Sequence, residues 1–251
     1  MSPQRFQNKV ALVTGGNSGI GLAAAQAFAR EGARVAIAGR DSETLETARK
    51  KLGPTAIAVQ ADVSKLADID RVLAQVKKEA GRIDALFVNA GVGKFVPLEQ
   101  SDEALFDWHF GINVKGAYFT IQKALPLMKP GSTIVVNASS VVNLGLPNSS
   151  VYTATKAAVA SLARSLAHEL APKGIRLNIV NPGPIETPIF ERMGLPPEVL
   201  KQMGEQIASQ VPQKRFGSPE DIAQAVLYLS SEESGYVHGA SLAVDGGMTA
   251  A

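Results

Sequence analysis

Apolar residues come along this chain in two alternating rhythms. Short runs dense in Val, Ile, Leu and Ala, such as KVALVT (9–14) and RVAIAG (34–39), are separated by longer stretches in which apolar positions recur every three or four residues, as in SETLETARKKL (42–52). The first rhythm predicts strands and the second amphipathic helices. Strands are expected at 9–14, 34–39, 55–61, 83–90, 132–138, 174–180 and 240–246, about seven in all. Helices are expected at 20–31, 42–52, 65–80, 102–110, 112–129, about 150–171 and 218–231. The strand runs are apolar almost throughout instead of alternating, so both of their faces must be buried. Strand following helix in regular succession then gives the fold class: α/β, a doubly wound parallel sheet with helices on both faces.

One stretch breaks the beat. Residues 182–217, PGPIETPIFERMGLPPEVLKQMGEQIASQVPQKRFG, are rich in Pro and Gly and separate a strand from a helix. Loops of that length inside a compact domain are usually lids or binding segments. A substrate-binding lid is expected at about 186–212, with a short helix at 197–209. Nothing else divides the chain, so residues 1–251 read as one domain. Its 45% hydrophobic content suffices for a single large core.

Charge and composition narrow the function by exclusion. A net charge of +2 with no Lys/Arg run gives no footprint for nucleic acid. The absence of cysteine rules out disulfides and thiolate metal sites, and it fits a reducing compartment. The start MSPQRFQNKV has no apolar signal stretch, and no segment is long and apolar enough to span a bilayer. A cytoplasmic protein with no membrane partner is the expectation. His109, His168 and His238 show no ligand spacing, so no metal is expected.

Candidate chemistry gathers where strands end. TGGNSGIG (14–21) follows the first strand and opens the first helix. Glycines there let backbone approach a pyrophosphate, which the helix N-terminus attracts. Gly15, Asn17, Ser18, Gly19, Ile20 and Gly21 are therefore candidate cofactor ligands, although the spacing GxxxGxG is not the commoner GxGxxG. Arg40 ends the second strand, where an acid would bind the ribose 2′-hydroxyl of NAD. A guanidinium there suits a 2′-phosphate, so NADP(H) is the expected cofactor, with NAD(H) possible. The alternative is that Arg40 faces solvent while Asp41 caps the next helix. Asp62 and Val63 end the third strand, and Asn89, Ala90 and Gly91 the fourth. Asp62 can equally be a helix cap.

Tyr152 and Lys156 stand four apart at the start of a long Ala/Leu-rich segment, which places them on one helix face. A free phenol has a pKa of about 10, and a neighbouring ammonium favours the phenolate. Ser139 sits upstream at the end of STIVVNASS, where a hydroxyl can polarise a carbonyl that the Tyr protonates. A Tyr and a Lys at this spacing are, by themselves, as well explained by an ordinary surface pair.

Taken together, TGxxxGIG (14–21), NAG (89–91), Asn113, Ser139 with Tyr152 and Lys156, PGPIETP (182–188) and DGG (245–247) resemble the short-chain dehydrogenase/reductase family in their order, from about residue 8 to 247. The resemblance implies a Rossmann-type fold and reversible hydride transfer between a nicotinamide cofactor and a carbonyl or alcohol substrate. It implies Tyr152 as general acid/base, and Lys156 as its pKa tuner and a ligand of the nicotinamide ribose. Ser139 would orient the substrate oxygen and Asn113 would hold a water relay. Pro182, Gly183, Ile185 and Thr187 would line the nicotinamide. Two departures stand out: Val88 replaces a second Asn, and the serine is doubled as Ser139-Ser140, where the family's spacing to the Tyr selects Ser139 and leaves Ser140 as the alternative. A 3-oxoacyl thioester (acyl-carrier-protein type) reductase, a dinucleotide-dependent epimerase and a non-catalytic dinucleotide sensor are the competing readings.

The segments expected to choose the substrate are 93–96, 141–149 and 186–210. They are mostly apolar (Phe95, Val141, Leu144, Leu146, Ile189, Phe190, Met193, Leu195), with Glu186, Glu191 and Arg192 as polar exceptions. Relatives commonly assemble as tetramers through the two helices expected at 102–129 and 150–171. A homotetramer is accordingly expected here, with a dimer as the alternative, and Phe110, Ala117, Phe119, Leu125, Ala157, Ala160, Leu162 and Leu166 supplying the outward apolar faces.

Overall fold

Seven strands run parallel in one sheet, in the order β3-β2-β1-β4-β5-β6-β7. They are β1 (Val10–Thr14), β2 (Arg34–Gly39), β3 (Ile57–Gln60), β4 (Ala85–Val88), β5 (Thr133–Asn137), β6 (Arg176–Pro182) and β7 (Ser241–Val244). The computed structural model describes residues 4–187 and 197–250. All five residues of β1 are buried, and it pairs in register with β2 on one side (Leu12 with Ala36) and β4 on the other (Leu12 with Leu86).

Successive strand residues point to opposite faces, and each face carries its own core. Leu12, Leu86, Ile134 and Val136 look one way, onto α3 (Leu66–Ala80), α5 (Ala117–Ala124) and α6 (Ser150–Leu170). Val13, Ile37, Phe87 and Val135 look the other way, onto α1 (Gly19–Arg30), α2 (Ser42–Leu52) and α8 (Pro219–Ser230). The chain leaves β1 toward β2 and β3, then crosses back to β4. That reversal opens a crevice at the carboxyl ends of β1 and β4, where ligands of such sheets bind. The helices start and stop for local reasons. The Asp41 carboxylate caps α2 by accepting from Thr44 N at 2.8 Å, and Ser218 with Asp221 forms a capping box on α8.

The structure departs from the sequence pattern in three places. The helices expected at 102–110 and 112–129 are one run: α4 (Glu103–Phe110), a six-residue π segment (Gly111–Gly116) and α5, then a short 3-10 turn ending at Leu127. Gly116 fits there because a Cβ would stand 2.8 Å from Val63 Cγ2. The second departure is β7, which was expected to be buried but forms an exposed sheet edge, with Leu242 open to solvent. The third concerns the outward helix faces. Ala117 and Ala160 lie in the core, and Phe119, Leu125 and Leu166 pack against it. Phe106 and Trp108 are exposed instead, with Phe106 stacked on Phe110 at 4.4 Å. The helix expected in the lid is present as α7 (Pro197–Gln210), while Ile189, Phe190, Glu191, Arg192, Met193 and Leu195 lie outside the described residues.

Candidate active site

Every candidate site residue lies at or just beyond the carboxyl end of a strand, or on a helix facing that end. The glycine turn is built against the end of β4. Gly15 has φ +65°, and a Cβ on it would stand 3.0 Å from Asn89 Nδ2. A Cβ on Gly21 would meet the carbonyl of Gly15 and Asn89 Nδ2, the latter at 2.5 Å. Asn89 in turn donates to the carbonyls of Thr14 at 3.0 Å and Gly15 at 3.3 Å. Ser18 is the N-cap of α1, yet its side chain makes no capping bond. A cradle that any side chain would fill, a hydroxyl with no capping duty and a helix N-terminus together fit a dinucleotide phosphate.

Arg40 is exposed at the end of β2, and its carbonyl accepts from Gln60 Nε2 at 2.9 Å. Gly39 lies directly against Asn17, whose amide donates to Thr44 Oγ1 at 2.9 Å. Asp41 caps α2, and Arg40 beside it is exposed. Asp62 turns its carboxylate onto Ser64, accepting from both N (3.0 Å) and Oγ (2.8 Å). It orders the turn ahead of α3 and is not its N-cap, which is Lys65. Ile185 is buried in the core, and its backbone bridges to Gly217. Gly183 N donates to Val244 O at 3.0 Å, which ties the turn after Pro182 to β7, and Thr187 follows half-buried.

The polar centre joins α6, β5 and the π segment. Lys156 Nζ is buried and donates to the carbonyl of Asn137 at 2.9 Å. It lies 5.9 Å from the centre of the Tyr152 ring. A Cβ on Gly91 would touch both Lys156 Nζ (3.4 Å) and Asn113 Oδ1 (3.3 Å), so these three residues share one spot. Asn113 spends its whole amide on positioning. Its Oδ1 accepts from Val92 N (2.8 Å), and its Nδ2 donates to Val92 O and Thr155 Oγ1 (both 2.9 Å). Thr155 Oγ1 in turn donates a hydrogen bond to the carbonyl of Tyr152 at 2.7 Å. The π register thus turns the Asn113 side chain inward, where it joins three elements.

Burial dominates the protonation states. The Lys156 ammonium is pushed down from 10.5 to about 8 by desolvation. The Tyr152 phenol is pushed up by burial, although part of the residue stays open to solvent, and a hydrogen bond from Ser139 opposes the rise. The expected lowering of Tyr152 by Lys156 is not what the protein alone shows: burial sets the direction, upward. Both serines are buried: Ser139 caps a 3-10 turn that Ser140 opens, and it is Ser139 whose side chain acts on the Tyr152 phenol.

Three supporting residues escaped the sequence reading. Asn137 gives its carbonyl to Lys156 and its amide to Asn89 Oδ1 (2.8 Å), and Thr14 Oγ1 accepts the N–H groups of Asn89 (3.0 Å) and Ala90 (3.1 Å). Thr155 is the third. A polar residue closing an apolar strand run, as Asn137 does in TIVVN, is the signal that could have found the first.

The sequence profile described as Enoyl-(Acyl carrier protein) reductase matches residues 15–249. The oxidoreductase asL5 of Sarocladium schorii is 43% identical over 248 residues, covering 98% of this chain and 97% of that protein. The chain belongs to the short-chain dehydrogenase/reductase family. Among solved structures, levodione reductase superposes with a TM-score of 0.93 at 35% identity, covering 98% of this chain and 100% of the other. The 3-ketoacyl-(acyl-carrier-protein) reductase of Brucella melitensis, complexed with NADH, gives 0.89 at 35% identity, covering 97% and 99%. The chain is accordingly an oxidoreductase of a family that binds a nicotinamide dinucleotide and acts on CH–OH and C=O groups. Among the described residues no helix is long and apolar enough to cross a membrane.

Proposed function

We propose that this protein is an NADP(H)-dependent oxidoreductase that interconverts a small, largely apolar carbonyl compound and its alcohol, with Tyr152 as general acid and base. The observation that carries the reading is a buried Lys156 ammonium 5.9 Å from the centre of the Tyr152 ring, sharing one spot with Asn113 and Gly91. The cofactor, when bound, supplies or accepts the hydride at its nicotinamide ring. Ser139 holds the substrate oxygen by donating to it, and Tyr152 passes its proton to that oxygen as negative charge develops there. A phenol kept protonated by burial is in the state that reduction needs. Lys156 supplies a positive charge beside the ring and a donor for the ribose, with Asn113 and Gly91 fixing the space around it. Arg40, exposed at the rim of β2, is the group for a 2′-phosphate.

The wall beside Tyr152 is apolar. Phe95 lies 5.5 Å from its ring, and Phe95 and Leu146 are exposed at the mouth. That favours a ketone with an apolar body. Reduction of a 3-oxoacyl thioester is the second reading, supported by the likeness to the Brucella protein. We infer further that the protein works as a homotetramer, since Phe106, Trp108, Tyr236 and the edge strand β7 leave apolar surface for partner copies. The test is a panel of alkyl ketones, aryl ketones, sugars and acetoacetyl-CoA, each followed by NADPH and NADH absorbance. Ketone reduction that favours NADPH is expected. No turnover of any carbonyl with either cofactor would make the protein a dinucleotide sensor instead.

A further inference from the structure

The loop after β4 carries Phe95 to the Tyr152 ring, yet residues 89–97 have no regular structure. Backbone N–H groups at every other residue hold it in place. Val92 N donates to Asn113 Oδ1 (2.8 Å), Lys94 N to His109 Nε2 (3.1 Å) and Val96 N to Asn148 O (2.8 Å). His109 and Asn113 stand four apart on one helical run. A helical turn rises 5.4 Å and two extended residues about 6.6 Å, so side chains one turn apart can meet alternate residues of an extended segment. His109 has no exposed surface, and both of its ring nitrogens are engaged. A backbone N–H can only donate, so Nε2 carries the lone pair. The Leu105 carbonyl, 2.9 Å from Nδ1, can only accept, so Nδ1 carries the proton. The two partners fix one neutral tautomer.

We propose that His109 is a positioning residue of the active site: as its neutral Nδ1–H tautomer it holds the Lys94 backbone, and with it the Phe95 wall against Tyr152, so that losing or protonating the imidazole loosens the substrate pocket while leaving the cofactor crevice intact. The consequence for substrate rests on Tyr152 being the reacting centre. Protonation would set an N–H on Nε2 against the N–H of Lys94 and remove the middle of the three anchors. The titratable groups facing the ring are Lys94 from the loop and Tyr152 from α6, whose ring centre is 6.4 Å away. Burial, aided by the Lys94 charge, holds the imidazole below its ordinary value, so the anchor is intact at neutral pH and released in acid.

Trp108, the only tryptophan in the chain, meets the His109 ring edge-on at 4.9 Å. Its emission reports the imidazole directly, because an imidazolium quenches indole far more than the neutral ring does. The test measures amide hydrogen exchange over 91–97 and over the glycine turn in the native protein, His109→Leu and His109→Gln, together with an acid titration of Trp108 emission. Losing one anchoring hydrogen bond should speed exchange in the loop by about tenfold in His109→Leu. The glycine turn should be unchanged. His109→Gln offers an amide oxygen in place of Nε2 and should stay close to native. In the native protein, quenching and faster loop exchange should share one midpoint, and that titration should vanish in His109→Gln. With acetophenone or 2-octanone as the probe, His109→Leu should raise KM for the ketone and leave KM for NADPH alone. A folded His109→Leu with native exchange in the loop would overturn the proposal. Should that variant not fold, Trp108 quenching without a matching change in loop exchange would overturn it. If neither ketone is reduced, the apolar-ketone reading of the substrate fails while the exchange result still decides the role of His109.

Discussion

Lys156 is the residue on which the chemistry and the stability of this protein pull in opposite directions. Its pKa is lowered from 10.5 to about 8 because the charged form is buried. Between those two values the unfolded chain binds the extra proton and the folded one does not, so stability rises with pH across that window. At about 1.4 kcal/mol per unit, the burden below pH 8 is on the order of 3 kcal/mol. Comparing native protein with Lys156→Met by denaturant unfolding at pH 7 and pH 10 should show the native gaining on the variant by an amount of that order. Equal differences at both pH values would mean that the ammonium is well solvated. The same variant should lose both turnover and NADPH affinity. Arg40 makes the second prediction at this scale. KM should be lower for NADPH than for NADH, and Arg40→Asp should reverse or abolish that order, with a loss of about 1.5–3 kcal/mol in NADPH binding. Native protein that uses both cofactors equally well would remove Arg40 from the site. The residue types at these positions were legible in the sequence, but the protonation states were not. Tyr152 was expected to be lowered by Lys156, whereas burial raises it, and burial depends on loops such as the one carrying Phe95 that no spacing rule places.

Elements were legible where apolar periodicity speaks and silent where hydrogen-bond register decides. The strands 9–14 and 34–39 and the helices 42–52 and 65–80 stand within a residue of their expected limits, because each buries a continuous run or a single stripe. The π segment Gly111–Gly116 leaves no such trace. A shift from i→i+4 to i→i+5 bonding leaves the apolar pattern almost unchanged while turning Asn113 inward. Asn113 then ties that helix to the 89–97 loop through Val92 and to α6 through Thr155. Asn113→Ala should cost about 1–3 kcal/mol for the Val92 groups left without a partner, visible as a melting temperature several degrees lower. It should also cut turnover, since Lys156 and Gly91 share its pocket. An unchanged melting temperature with native turnover would show that water replaces the amide without penalty. The sequence marked this Asn only through the family motif, because helix propensity scores one residue at a time and does not register what its side chain reaches.

For the whole molecule, the parallel sheet with a core on each face followed from the alternation of strands and helices, but the strand order and the free surface did not. Edge position is set by strand order, which places β7 outermost, and a run such as ASLAVDG reads the same at an edge as in the middle. The outward helix faces moved for the same reason, from Ala117 and Ala160 to Phe106 and Trp108, once packing fixed the rotation of each helix. Light scattering should give four times the 26.3 kDa of one chain, and a stable monomer at micromolar concentration would contradict the assembly. The central claim is that Tyr152 delivers the proton in an NADPH-dependent carbonyl reduction. Its most direct test is kcat of native protein and Tyr152→Phe, side by side, at saturating NADPH with a ketone that the native enzyme reduces and with chemistry shown to be rate-limiting. The ring and its packing stay, and only the hydroxyl coupled to Ser139 is lost. The predicted result is a fall of roughly 10²–10⁴ in kcat with NADPH binding retained. A kcat close to native in Tyr152→Phe would mean that another group carries the proton.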